Sequence, residues 1–333
     1  MDKRIVRQIK SHLVRPERIL ICSHRDPDGD SIGCQLAFYE FLRQRRSGVV
    51  VCNDGELPLK YRFLDPRGII RQPEQVRRTR WAAAVMFECS DLSRIGCAAE
   101  LLDVDTPIIN IDHHAGNRRF GAVDWVDSEA SACGEMVYDL VRVLGGRITP
   151  RVAELLLAAI LTDTGRFHYQ STSPRTMRIA AELMEVGADL KKLTDRLYFS
   201  YSAGQFRFIS NVLAGADIRR DGQICLLKVR RRDAARFGVA YRDLEGLPDC
   251  TLTLEGVKVG ALLREMENGW TKISLRSAGS VSIVPLARYF SGGGHPNAAG
   301  CQIDKPLDKA VEELVKAATR YLRDGTLRHP SRA

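Results

Sequence analysis

Asp112-His113-His114 places three groups able to carry a proton or ligate a cation in consecutive positions, directly after the apolar stretch Pro107-Ile108-Ile109-Asn110-Ile111. Such groups at the end of a buried strand are costly unless they face a polar site rather than a core. Three further clusters follow the same rule. His24-x-x-x-Asp28-x-Asp30 comes after the apolar run Ile19–Cys22, Glu88 and Asp91 follow Ala83–Phe87, and Asp163 lies where Thr162-Asp163-Thr164-Gly165 interrupts a helical pattern starting at Val152. Carboxylate oxygens suit hard divalent cations, and imidazole nitrogens shift the preference toward Mn²⁺ or Fe²⁺. Each residue alone has an ordinary reading: Asp30 as a helix N-cap, Asp163 as a capping or turn residue, the histidines as a polar strand terminus. It is the recurrence at four element ends that points to one metal-dependent site.

The elements that must position these residues alternate. Strand-like runs are followed by helical periodicity, as in the helix predicted from Ser31 with Ile32, Leu36, Tyr39 and Leu42 on one face. This predicts an α/β fold whose N-terminal domain, residues 1–190, is a mostly parallel sheet flanked by helices, with ligands collecting beyond the carboxyl ends of the strands. Residues 191–215 read as a helical, partly aromatic linker. Residues 216–325 change texture, with β-type runs at Ile224–Leu227, Val257–Leu263 and Thr271–Arg276 and helices over Val284–Tyr289 and Leu307–Leu322, and are expected to form a smaller α/β domain.

Of the 333 residues, 44% are hydrophobic and 27% charged, an ordinary globular balance. No apolar run approaches the roughly 20 residues of a membrane span, and no apolar core of a secretory signal follows Met1, so a cytoplasmic protein without membrane association is expected. Nine cysteines without a Cys-x-x-Cys pair argue for reduced thiols rather than a zinc site or disulfide framework. The formal charge of +9, with runs such as Arg77/Arg78/Arg80 and Arg230-Arg231-Arg232, favours a phosphate-bearing partner without establishing one. There is no Walker-type loop and no dinucleotide fingerprint.

His24-Arg-Asp-Pro-Asp28-Gly-Asp30-Ser-Ile-Gly, Asp112-His113-His114 and Leu161-Thr-Asp163-Thr-Gly resemble the motifs of the DHH phosphoesterase superfamily, and Gly292-Gly-Gly-His295-Pro-Asn-Ala-Ala-Gly300 resembles the signature of its associated C-terminal domain. The resemblance spans roughly residues 15 to 320 and is greatest to the bifunctional oligoribonucleases that also dephosphorylate 3′-phosphoadenosine-5′-phosphate. It implies two Mn²⁺ ions per site, with Mg²⁺ or Co²⁺ as substitutes: His24 and Asp28 on one, Asp30, His113 and Asp163 on the other. An acidic residue after the third strand would bridge them. That residue is usually aspartate in the family, whereas this chain has Glu88, with Asp91 as the alternative. Asp112 and His114 are implied to be catalytic, His114 facing the substrate phosphate or the leaving oxygen. Substitution of Asp30 or His113 is expected to abolish turnover while sparing the fold.

In the second lobe, Gly293 and Gly294 would let backbone N–H groups approach an anion that His295 also contacts, and Ser274 and Arg276 lie on one face of a strand, where Arg276 suits bidentate phosphate binding. Arg94 and Arg166, each just after a metal motif, are further candidate phosphate contacts. The expected function is hydrolysis of short oligoribonucleotides and 3′,5′-bisphosphonucleotides by a metal-activated water, the second lobe closing as a lid; a homodimer is compatible with it. Within the same chemistry the alternatives are a cyclic- or linear-dinucleotide phosphodiesterase, disfavoured for lack of a preceding sensory segment, and a single-strand exonuclease, disfavoured for lack of a further nucleic-acid-binding domain. The Gly292–Gly300 run argues against a family II pyrophosphatase. From another class, a non-catalytic RNA- or nucleotide-binding protein rests on Glu88 alone, and metal analysis with phosphodiester turnover separates the two.

Overall fold

The computed structural model describes residues 2–13, 18–45, 47–239 and 246–327. It divides into two compact units, residues 1–200 and 201–333.

In the first unit, six strands, β1 (Ile19–Cys22), β2 (Val49–Cys52), β3 (Ile70–Arg71), β4 (Ala83–Phe87), β5 (Ile108–Asp112) and β6 (Val123–Val126), form one sheet in the order β3-β2-β1-β4-β5-β6. Every pairing is parallel. The strands read as continuous apolar runs because both faces are buried: Ile19, Ile21, Val85 and Phe87 pack into one cluster, and Leu20, Cys22, Ala84 and Met86 into another. Among the described residues six α-helices belong to this unit: α1 (Lys3–Leu13), α2 (Gly29–Arg43), α3 (Cys133–Val143), α4 (Pro150–Asp163), α5 (Pro174–Val186) and α6 (Leu190–Tyr198). Strand order reverses between β1 and β4, the switch point where open parallel sheets gather ligands.

The second unit holds α7 (Ala203–Ala214), β7 (Asp217–Arg219), β8 (Ile224–Val229), α8 (Arg231–Arg236), α9 (Leu247–Cys250), β9 (Val259–Glu265), β10 (Thr271–Ser277), α10 (Val284–Tyr289), β11 (Gly293–His295), β12 (Ala298–Ile303) and α11 (Leu307–Asp324). Its sheet runs β11-β12-β10-β9-β8-β7 and is antiparallel except at β8–β9. The segment read as a linker is helical, and its two helices serve different cores. Leu193 and Leu197 of α6 pack in the first unit, whereas Phe208 and Val212 of α7 pack with β8 in the second. No described helix is long and apolar enough to cross a membrane.

Candidate metal centre

The site grows from the carboxyl ends of β1, β4 and β5 and the end of α4. The helix expected at Ser31 begins two residues earlier, because Asp28 is its N-cap: the Asp28 carboxylate accepts from Ser31 N at 2.9 Å. Its other oxygen lies 3.8 Å from His24 Nε2. Gly29 and Gly33 lie on the α2 face against α4, where a Cβ would meet Thr162 at 2.4 Å and the Leu155 carbonyl at 2.5 Å. The glycines of the first motif therefore let two helices approach until Asp163, the last residue of α4, comes near the residues that open α2.

Asp30, His113 and Asp163 converge, with ligand atoms all within 4.8 Å of one another, and Glu88, Asp112 and His114 form a second such group. Glu88 joins them: its Oε1 is 3.5 Å from His113 Nε2, which is 3.3 Å from Asp163, and its Oε2 is 3.8 Å from His114 Nδ1. His113 Nδ1 donates to the Ala130 carbonyl at 3.0 Å, so the lone pair of Nε2 is turned into the cluster. His114 is held differently. Its Nδ1 donates to Asp112 at 2.7 Å, so the neutral ring carries its lone pair on Nε2. Asp112 is fully buried and holds the His114 ring in place.

Asp30 has a role that its sequence position hides. The N-cap of α3, Ala132, supplies no side-chain bond, and the Asp30 carboxylate accepts from Cys133 N at 2.6 Å and Gly134 N at 2.9 Å instead. It thus caps α3 from across the site and takes the favourable end of the helix dipole. The expectation that Asp30 can be replaced without consequence for the fold is corrected accordingly: it is both a potential ligand and a structural cap.

Glu88 departs from ordinary backbone geometry, with φ of +61° in a non-glycine residue. Its neighbours over-determine that conformation. The Ser23 hydroxyl donates to the Phe87 carbonyl at 2.9 Å, Glu88 N donates to Ile111 O at 3.2 Å, and Asn117 Nδ2 donates to the Cys89 carbonyl at 2.9 Å. Ser23 is held in turn by Asn53, which forms a reciprocal pair with Gln35. Asn117 also donates to the second oxygen of Asp112 at 2.6 Å, so one amide ties the Glu88 turn to the His114 orienter. Ser23, Asn53 and Asn117 escaped the sequence reading. Asn53 at the end of β2 carries the same signal, a polar residue closing an apolar strand, that singled out the others.

Burial of so many carboxylates raises their proton affinity. Glu88 is pushed well up by desolvation, only partly countered by His113, and Asp30 is raised for the same reason. Burial lifts Asp163 to about 7. Burial also works against His113, yet Glu88 and Asp163 outweigh it and hold the imidazole well above its usual value. Asp112 goes the other way: against burial, His114 and Asn117 hold it at about 2. Asp28 is likewise kept below the carboxylate range by His24 and Ser31. Two buried atoms of the cluster, Glu88 Oε1 and His24 Nδ1, have no hydrogen-bond partner among the described residues. Oxygen-rich donors with imidazole nitrogens, mutually repelling and incompletely bonded, fit divalent cations.

Asp91 caps the 3₁₀ segment Leu92–Leu101, accepting from Ser93 N at 2.8 Å, and pairs with Arg118. The Arg94 carbonyl accepts from Arg25 N at 2.8 Å, and the Arg166 guanidinium lies over the Tyr198 ring. Ser274 and Arg276 are on β10 in the second unit, where polar and buried residues alternate, and Arg276 Nε is paired with Asp249 at 2.6 Å. Gly293–His295 is a strand, not a bare turn. Gly292 and Gly294 are required by packing against β12, where a Cβ would sit 2.1 Å from Gly300 O and 2.6 Å from Ala298 O respectively, whereas a Cβ at Gly293 would meet open space.

Two family models match the chain. The model of the DHH family N-terminal domain matches residues 18–160, and that of the DHHA1 domain matches residues 222–324. The chain is 34% identical over 305 residues to the bifunctional oligoribonuclease and PAP phosphatase NrnA of Thermus thermophilus, covering 91% of this chain and 90% of that protein. It is 24% identical to the NrnA of Bacillus subtilis, over 89% of this chain and 93% of that one. A crystal structure of an exopolyphosphatase-related protein from Bacteroides fragilis superposes with a TM-score of 0.88 at 26% identity, covering 96% and 97% of the two chains. The chain belongs to the DHH family of phosphoesterases and carries its DHHA1 domain.

Proposed function

We propose that this protein is a Mn²⁺-dependent hydrolase that converts short oligoribonucleotides to mononucleotides and 3′,5′-bisphosphonucleotides such as 3′-phosphoadenosine-5′-phosphate to AMP and phosphate. The observation that carries the reading is the joined pair of clusters in which Glu88 lies between His113 and His114. The likeness to two NrnA enzymes over nine-tenths of the chain supports the substrate class. His24 and Asp28 would hold one cation and Asp30, His113 and Asp163 a second, with Glu88 shared between them. Bound there, the cations would supply an acidified water and neutralise charge developing on the phosphoryl oxygens.

The protein's own residues do the rest. Asp112 fixes the tautomer and orientation of His114, so that Nε2 is the atom that would pass a proton to the leaving oxygen. Arg276 and His295, with the Gly293 amide, capture a terminal phosphate and favour short substrates. The test is incubation with Mn²⁺ and an RNA series from dinucleotide to a long single strand, alongside 3′-phosphoadenosine-5′-phosphate. Release of mononucleotides from the shortest RNAs and of phosphate from the bisphosphonucleotide is expected. Turnover confined to the long strand, or of no substrate, would overturn the reading.

A further inference from the structure

Two candidate metal ligands lean on one short stretch of backbone. The Ala130 carbonyl accepts from His113 Nδ1, and the amides of Cys133 and Gly134 donate to Asp30. All three groups belong to residues 130–134, at and just before the start of α3. The N-cap residue Ala132 contributes no side-chain bond there. The stretch is fixed by side chains around it. The Ser131 hydroxyl, inside it and buried, donates to Glu135 and lies 3.0 Å from the Thr176 hydroxyl of α5. The Glu135 side chain is only 1% exposed, and its second oxygen accepts from Arg175 Nη1 at 2.6 Å. Arg175 also pairs with Asp139, one turn further along α3. Thr176 is fully buried, with the Ser173 hydroxyl 2.9 Å away.

The chemistry of these groups gives the network a direction. A carboxylate only accepts, and a hydroxyl has a single proton to donate. Ser131 gives its proton to Glu135 and so must accept from Thr176, which must accept from Ser173 in turn. The chain of donors therefore runs from α5 to the one carboxylate that Arg175 pairs with. A buried network in which every member is satisfied enforces a single geometry. Stability alone is a weak reason for it, because a buried ion pair contributes little net against well-packed apolar side chains. Glu135 is also outside the groups whose ligand atoms converge. What it does hold is the backbone that holds His113 and Asp30.

We propose that Ser131, Glu135, Arg175 and Thr176 are positioning residues of the metal centre. They set the backbone of residues 130–134 from α5, and through it the ring of His113 and the carboxylate of Asp30. The proposal rests on the metal-dependent reading of the site. The same two helices supply a contrast: Glu182 of α5 bonds Tyr138 and Arg142 of α3, joining the helices away from the start of α3.

The test compares Glu135→Gln with Glu182→Gln, each replacing a carboxylate between α3 and α5 by its isosteric amide. In calorimetric titration with Mn²⁺, Glu135→Gln is expected to weaken binding about 10- to 100-fold, the loss typical when an outer partner of a metal ligand is removed. Glu182→Gln should leave the affinity unchanged. Thr176→Val should behave like Glu135→Gln, whereas Thr176→Ser keeps the hydroxyl and should bind as the unaltered protein does. In the metal-free protein, proton spectra of the imidazole N–H region read the hydrogen bond from His113 Nδ1 to Ala130. That signal should shift in Glu135→Gln and stay in place in Glu182→Gln. Should Glu135→Gln fail to fold, as circular dichroism would show, Ser131→Ala breaks the same link and takes its place. Equal losses from the Glu135 and Glu182 variants would reduce the network to a general clamp between two helices and overturn the proposal. So would undiminished Mn²⁺ affinity in Glu135→Gln or Thr176→Val. If the unaltered protein binds no Mn²⁺ while the His113 signal still responds to Glu135→Gln alone, the positioning stands and the metal-dependent reading falls.

Discussion

The strand ends of the first unit and strand β10 of the second both gather charged side chains, under opposite energetic terms. On β10, Arg276 alternates with buried neighbours and has an acidic partner, Asp249, at 2.6 Å. Its charge is compensated by its own unit. At the ends of β4 and β5, Glu88 is buried, its Oε1 without a hydrogen-bond partner among the described residues, beside further carboxylates and on a left-handed backbone. Folding alone would not select that arrangement. The difference separates a charge compensated within its own unit from a cluster of buried charges assembled against its own stability.

The sharpest way to break the contrast is Glu88→Gln. It should abolish cation binding and lower turnover by several orders of magnitude, because a neutral amide cannot bridge two dications. At a pH above the raised titration range of Glu88, the metal-free protein should nonetheless melt higher than the unaltered one, since the desolvated charge is gone. A lower melting temperature together with lost activity would mean that Glu88 is a structural residue.

The raised carboxylates make the second test one of pH. Desolvation lifts Asp163 to about 7, with Glu88 and Asp30 raised too. In the metal-free protein their contribution to stability is fully present below their unfolded values and is lost as pH rises through the folded ones. The chelated protein should therefore lose stability from about pH 4 to 7, and cation affinity should rise over the upper part of that range as protons leave. Calorimetric titration with Mn²⁺ at pH 6 and pH 8 in two buffers reads both affinity and proton release. Affinity independent of pH would remove these carboxylates from the site.

Asp30→Ala should remove turnover and also cost about 1 kcal/mol or more of stability through the lost cap on α3. Asp30→Asn keeps an acceptor for the α3 amides and should recover part of the stability but not the activity, as thermal melts beside Mn²⁺-supported assays would show. Arg276→Ala is expected to reduce capture of substrates with a terminal phosphate about 10- to 100-fold and to change a generic chromogenic phosphodiester little. Equal losses on both would place Arg276 in the structure of β10. The smallest effect belongs to Asp91→Asn, since asparagine caps about as well as aspartate. Were it the inactive variant, Asp91 would replace Glu88 as the shared ligand.

The α/β class, the parallel sheet and the four acidic clusters were legible in the chain because each depends on local order: apolar runs with two buried faces, helical spacing between them, and polar residues where the runs stop. The preference for Glu88 over Asp91 as the candidate shared ligand likewise rests on local order, one residue ending a strand and the other capping the 3₁₀ segment that follows. What the linear pattern could not carry is which groups share a space. Asp30 caps a helix that begins 103 residues later, Asn117 binds both the Glu88 turn and Asp112, and Lys60 meets Arg166 over Tyr198. The left-handed conformation of Glu88 is likewise invisible in a residue type that rarely adopts it, being imposed by Ser23, Ile111 and Asn117. Periodicity and element ends are properties of short segments, so the sequence alone determined them. Partners brought together by close packing of α2 on α4 and by the order of strands exist only once the chain has folded.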